Sequence, residues 1–298
     1  LTAGAPVGAG SPVALAGFDD VVSAIAGARE VALSAFVLGR GRLTHALEAA
    51  ADRGAHVVVE LEGAPYAPSV KAADGMRTCN AATAAELRAH GVRAHLRADD
   101  EAPLHLKGAV IDGVAFLDDR NWAGDGRETI LRSERLGDAA LVAAGIAGCA
   151  GRNAGLVTQK NAALALEAET IAQAARGAQV LCESESFGPS VVARALAARS
   201  AAGERVRLLV DARALGAVAF ESLDRLEKAG VEIRLGAAAE KLCIAGDAGW
   251  LGSANATVGR PETLDWGFRT SAPAIVADLA QRFEQRWEAG KAFAHRPA

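Results

Sequence analysis

The sequence is poor in the residues that usually announce a binding partner. It has one Tyr (Tyr66), one Met and only 4% aromatic residues in 298. The aromatic-basic stripe on which single-stranded nucleic acid stacks is therefore missing. Lys and Arg number 32 against 36 Asp and Glu, giving a net charge of −4. Without a positive excess there is no field for sequence-independent nucleic-acid binding, which makes that partner unlikely while leaving room for a local basic cleft. No apolar run reaches the roughly 20 residues of a transmembrane helix. The nearest, 139–150, reads as a packed Ala/Gly-rich helix. Four cysteines lack metal-type spacing. Cys182 and Cys243 fall in apolar strand patterns and read as buried thiols. Cys79 and Cys149 are a candidate disulfide pair, which would imply an oxidising compartment. Residues 1–18, uncharged up to Asp19, read as an N-terminal extension, either the remainder of an exported precursor or an extended arm. The compartment itself stays unknown.

What is present is globular: 51% hydrophobic and 23% charged residues. The length allows one large domain or two ordinary ones. Helical spacing is expected over 19–28, 43–53, 83–90, 163–176, 191–201 and 220–228. A closing helix follows over 274–287, with Ile275, Leu279, Phe283 and Trp287 on one face. Strands are expected over 31–38, 57–61, 92–96, 179–182, 206–210 and 231–235, and residues 63–80 read as a long loop. Strands alternating with helices give an α/β fold with largely parallel pairing. The stretch 137–158 reads as a linker between a first half, 19–150, and a second, 151–298.

The most informative stretch runs from His105 to Asn121. In extended chain His105 and Lys107 share a face. A nucleophile or proton carrier beside a fixed cation suits attack on an anionic phosphoryl group, because the ammonium neutralises the non-bridging oxygens. Asp112 and Asn121 are candidates to hold the neighbouring backbone or the phosphate. The spacing His105-x-Lys107-x4-Asp112, followed by Asn121, resembles the HxKxxxxD signature of the phospholipase D superfamily.

That resemblance implies two motif copies in two pseudo-twofold-related α/β halves, each a mixed, largely parallel sheet flanked by helices, and the chain does repeat itself. A shift of 134 lays Lys107 on Lys241, Asn121 on Asn255 and Glu128-Thr129 on Glu262-Thr263. A shift of 149 relates the 31–62 and 180–211 segments, and one of 139 relates 87–92 and 226–231. The second copy keeps Gly252-Ser253-Ala254-Asn255, where the first has Asp118-Asp119-Arg120-Asn121. It loses the histidine to Ala239, and Asp112 falls on Gly246.

The resemblance implies a nucleophilic His105, with Lys107, Lys241, Asn121, Asn255 and Ser253 around the phosphate. Glu262 would orient His105, and Glu128 would face the vacancy at Ala239. Glu183 and Glu185 read as strand-end residues. Two cations and neutral amides make a metal or cofactor unnecessary. The expected ligand is a phosphodiester, a phospholipid or small diester in preference to nucleic acid, on a monomer with pseudo-dimeric halves. Ala239 leaves the family's second histidine unfilled, and Asp119 adds negative charge where the family has Ser. Two readings follow: a phosphodiesterase with a reduced mechanism, or a pseudoenzyme that binds a phosphate-bearing ligand.

Overall fold

The computed structural model describes residues 11–67 and 69–293. The first half contains β1 (Val13–Ala16), α1 (Phe18–Gly27), β2 (Glu30–Ala35), α2 (Arg42–Asp52) and β3 (His56–Leu61). It continues with α3 (Val70–Ala89), β4 (Arg93–Leu96), β5 (Gly108–Ile111), β6 (Val114–Asp118), β7 (Ile130–Ser133) and α4 (Leu136–Ile146). The second half contains β8 (Leu156–Val157), α5 (Lys160–Ala172), β9 (Val180–Ser184), α6 (Val191–Ala201), β10 (Val206–Asp211) and α7 (Ala217–Lys228). It closes with β11 (Glu232–Gly236), β12 (Leu242–Ala245), β13 (Ala248–Gly252), β14 (Gly267–Thr270), α8 (Pro273–Ala289) and β15 (Lys291–Ala292).

Two mixed sheets result, with strand orders β1-β7-β6-β5-β2-β3-β4 and β15-β11-β10-β9-β12-β13-β14-β8. Apart from the added β15, one order is the other repeated. In each, three parallel strands (β2-β3-β4, β9-β10-β11) adjoin an antiparallel set (β5-β6-β7, β12-β13-β14). One hydrophobic cluster contains Leu106, Leu117 and Leu131 of the first half and Leu242, Leu251, Leu264 and Trp266 of the second, closed by α4 and α8 side chains such as Val142 and Phe283. The halves thus share a core between their sheets. Each also has its own outer core under its remaining helices.

Four expectations change. The 63–80 stretch is mostly helix, since α3 starts at Val70, with the Ser69 hydroxyl accepting from Ala72 N (3.2 Å) as N-cap. Its buried face is Asn80, Thr83, Ala84 and Leu87, and its two polar members hide the apolar spacing. The 137–158 stretch holds α4 and β8. The end of the expected extension, residues 13–16, is strand β1, paired antiparallel with β7; residues 1–10 lie outside the described residues. All four cysteines are free thiols, so Cys79 and Cys149 are not bonded; Cys79 sits on α3 with Sγ 3.6 Å from Leu38 O, and Cys149 is exposed beyond α4. No helix among the described residues is long and apolar enough to cross a membrane.

Candidate active site

His105 does not lie in a strand ladder. It sits in the extended approach to β5, where Leu104 bridges Leu264 in parallel. The His105 N–H donates to Leu264 O (2.8 Å), and Leu264 N–H donates to Pro103 O (2.8 Å). Chain from the second half therefore fixes the backbone of His105. The same segment carries Asp265, whose carboxylate oxygens lie 3.2 and 3.1 Å from His105 Nδ1. Burial alone would push the Asp265 pKa up, but His105, Lys107 and the Ser253 hydroxyl hold it below the usual carboxylate value. An ionised carboxylate requires Nδ1–H as donor, which leaves Nε2 with its lone pair. Burial and the neighbouring Lys107 lower the pKa of His105 against the pull of Asp265, which favours the neutral imidazole.

The imidazole packs edge-on to Phe36 (centroids 5.1 Å apart) and stacks with Tyr66 (6.1 Å). It lines a cavity of about 560 Å3 together with Tyr66, Lys160, Asn255 and Asp265. Lys107 and Lys241 are both buried, and each ammonium acts on the charge of the other. Their neighbours differ. Lys107 lies over the Phe36 ring (5.7 Å to the centroid), and burial, which outweighs the pull of Asp265, drops its pKa to about 7. Lys241 donates to Glu185 Oε2 (2.8 Å) and to the backbone oxygens of Asp119 and Ala239 (both 3.3 Å). Burial lowers its pKa as well, but Glu185 and Asp119 outweigh that and raise it.

No family model matches the sequence, and no curated protein matches it. Solved structures do resemble the fold. A polyphosphate kinase from Porphyromonas gingivalis superposes with a TM-score of 0.72 at 15% identity, over 95% of this chain and 48% of that one. A phosphatidylserine synthase from Haemophilus influenzae Rd KW20 gives 0.67 at 12%, over 95% and 88%. Both are phospholipase D superfamily members. This chain has the phospholipase D superfamily fold. It spans about half the length of the polyphosphate kinase it matches.

Within that fold the sheet registers give the correspondence between halves directly. Asp118 pairs with Ile130 and Gly252 with Gly267, so residues 119–129 (eleven) match residues 253–266 (fourteen). The second loop is three residues longer. Asp119 N–H donates to Thr129 O, and Ser253 N–H to Trp266 O, so Asp265 corresponds to Glu128. Glu262, the expected orienting acid, is instead partly exposed and accepts from Arg260 Nε (2.8 Å). An ungapped shift of 134 cannot see a three-residue insertion, which is why it paired Glu128 with the wrong acid. Glu128 itself accepts from Gly124 N (2.6 Å) and Arg127 N (3.1 Å).

Other expected residues have other roles. Ser253 donates its proton to Asp265 and accepts from Trp266 N, so it positions that acid rather than a phosphate. Asp112 sits at φ +45 in the turn between β5 and β6. Its carboxylate accepts from Arg29 N (3.1 Å) and Glu30 N (2.9 Å), so it anchors the hairpin end. Asn255 Oδ1 accepts from Ser186 N (3.0 Å) and lines the cavity. Asn121 Oδ1 accepts from Val37 N (3.4 Å), but it lines a separate cavity with Arg40 and Arg42. Asp119 is buried, with Oδ1 accepting from Thr129 N (2.8 Å) and Oδ2 without a hydrogen-bond partner among the described residues. Burial, Asp118 and Glu240 push its pKa well up. Asp265, Phe36 and Lys160 carried no signal in the sequence, since each is placed here only by tertiary contact. Among the described residues, no group of three His, Cys, Asp or Glu side chains could hold a metal ion.

Proposed function

We propose that the chain is a phospholipase D-type phosphoryl-transfer enzyme acting on a phosphodiester, lipid or small diester, through His105. One observation carries the reading: His105, held at Nδ1 by the buried Asp265, lines a cavity and feels the charge of two buried lysines, Lys107 and Lys241. His105 Nε2 would attack phosphorus, forming the P–N bond as the P–O bond breaks and its electron pair leaves on the alkoxide oxygen, which takes a proton from water. Lys107 and Lys241 would take the charge of the non-bridging oxygens, and Asp265 would stabilise the imidazolium without taking its proton. The structural neighbours, a polyphosphate kinase and a phosphatidylserine synthase, both bear names of enzymes that act at phosphorus. That agrees with this reading but does not select the substrate.

The counterpart of His105 in the second half favours a second reading, a binding protein without turnover. Ala239 brings no acid, and Glu128, which would orient a histidine there, is spent on loop amides. Kinetics separate the two. The native chain should release a burst of about one equivalent from a nitrophenyl phosphodiester, which needs no protonation to leave, and then turn over slowly as phosphohistidine accumulates. Ala239→His should raise the steady rate on an alkyl diester at least about tenfold, a fraction of what general acid–base help supplies. If neither protein releases product or labels His105, the enzyme reading fails and the binding reading stands.

A further inference from the structure

The sequence holds six lysines. Lys71, Lys228 and Lys291 are exposed, whereas Lys107, Lys160 and Lys241 are buried. The motif accounts for two of the buried three and leaves Lys160 unexplained. Lys160 opens α5, and its backbone N–H donates to Thr263 O (2.9 Å), which ties the helix end to the segment carrying Asp265. Its side chain lines the His105 cavity and is 8% exposed. The ammonium donates to Thr257 Oγ1 (3.2 Å), and no carboxylate pairs with it among the described residues.

Gly259 makes room for this cation, since a Cβ there would stand 2.6 Å from Lys160 Nζ. The first half has the same niche at the first residue of α1, where a Cβ on Gly124 would stand 2.9 Å from the Phe18 ring. One niche holds a ring and the other a cation. The cation faces the cavity that contains the histidine. Burying an ammonium against a lone hydroxyl is costly, and burial lowers the pKa of Lys160 accordingly. An arriving anion would remove that cost. Glu62, Asp99 and Glu101 line the same cavity and would repel an anionic extension from their part of it.

We propose that Lys160, with the Thr257 hydroxyl, is a second anion subsite, so that the substrate carries a further phosphate or carboxylate beyond the phosphorus attacked by His105. This rests on the reading of His105, Lys107 and Lys241 as the phosphate site. Calorimetry in metal-free buffer with phosphate, pyrophosphate and phosphonoacetate tests it. Pyrophosphate should bind at least about tenfold tighter than phosphate, the scale of one added charge-assisted contact. An equal gain for phosphonoacetate means the subsite accepts a carboxylate, and a gain confined to pyrophosphate means it requires phosphate. Lys160→Met should erase the gain, leave phosphate affinity within about twofold, and raise Tm because the unpaired buried cation is gone. Gly259→Ala, which keeps the lysine but crowds its ammonium, should reduce the gain independently. A gain that is absent in the native chain, or that survives both variants, overturns the subsite alone. If native protein fails to bind phosphate at all, the active-site reading falls and takes the subsite with it.

Discussion

At the scale of single residues, the site turns on which acid faces His105. Asp265→Asn would offer Nδ1 an amide instead of an anion, destabilising the imidazolium and freeing the tautomer. Turnover of an activated diester should fall by roughly two orders of magnitude or more, while Glu262→Gln stays within about twofold. Equal losses in the two variants would show that Asp265 is not the orienting group. The motif lysine gives a pH dependence. Lys107 has its pKa lowered to about 7 by burial, so in the empty site its positive charge is present below that value and lost as pH rises through it. Sulfate keeps its charge over this range, so its affinity should fall between about pH 6 and 8. Lys107→Arg, which stays protonated, should remove that fall. A native affinity flat across the range would contradict the lowered pKa.

At the scale of elements, α3 shows how the first half of a helix can be hidden from its own sequence and still shape the site. Asn80 Nδ2 donates to Phe36 O and Glu62 O (both 2.8 Å), and its Oδ1 accepts from Leu38 N (2.9 Å). The Thr83 hydroxyl donates to Leu38 O (2.7 Å). The helix spends its buried face on the backbone of the loop that carries Phe36, the ring beneath Lys107 and beside His105. Asn80→Ala would strand three buried backbone groups, so stability should drop by at least about 2 kcal/mol in a denaturant melt. Diester turnover should drop with it at temperatures where the variant remains folded. Full activity in the folded variant would detach this loop from the site.

The contrast with the other elements explains what could be read from sequence. Helices with apolar faces, such as α6 and α8, and strands such as β10 announced themselves by spacing. So did the His105/Lys107 pair, whose chemistry is local. Asp265 was not legible, because its partner is 160 residues away and a three-residue insertion shifts the repeat just before it. Lys160 was not legible either, since only the fold brings the start of α5 beneath Gly259.

At the scale of the whole molecule, the two halves are mutually dependent. Leu106, Leu242, Leu251, Leu264 and Trp266 are each at most 1% exposed. At about 2 kcal/mol per buried side chain, this shared cluster contributes on the order of 10 kcal/mol, comparable with the total stability of a typical domain. The Trp266 Nε1–H donates across the boundary to Asp118 O (2.9 Å). Heating should therefore give one calorimetric transition. A fragment ending at residue 150, which lacks Asp265 and Lys241, should not bind phosphate. Two resolved transitions, or binding by that fragment, would show independent halves.

The exchange between Leu104 and Leu264 has a wider consequence. The backbone of His105 and the carboxylate that orients it are both set by one short strand bridge reaching from the opposite half. His105 is thus aligned only after the segment around Leu264 has been made and has docked. During synthesis on the ribosome, the first half emerges before the carboxylate that orients its histidine. Until then the site is incomplete, and assembly itself acts as the safety catch.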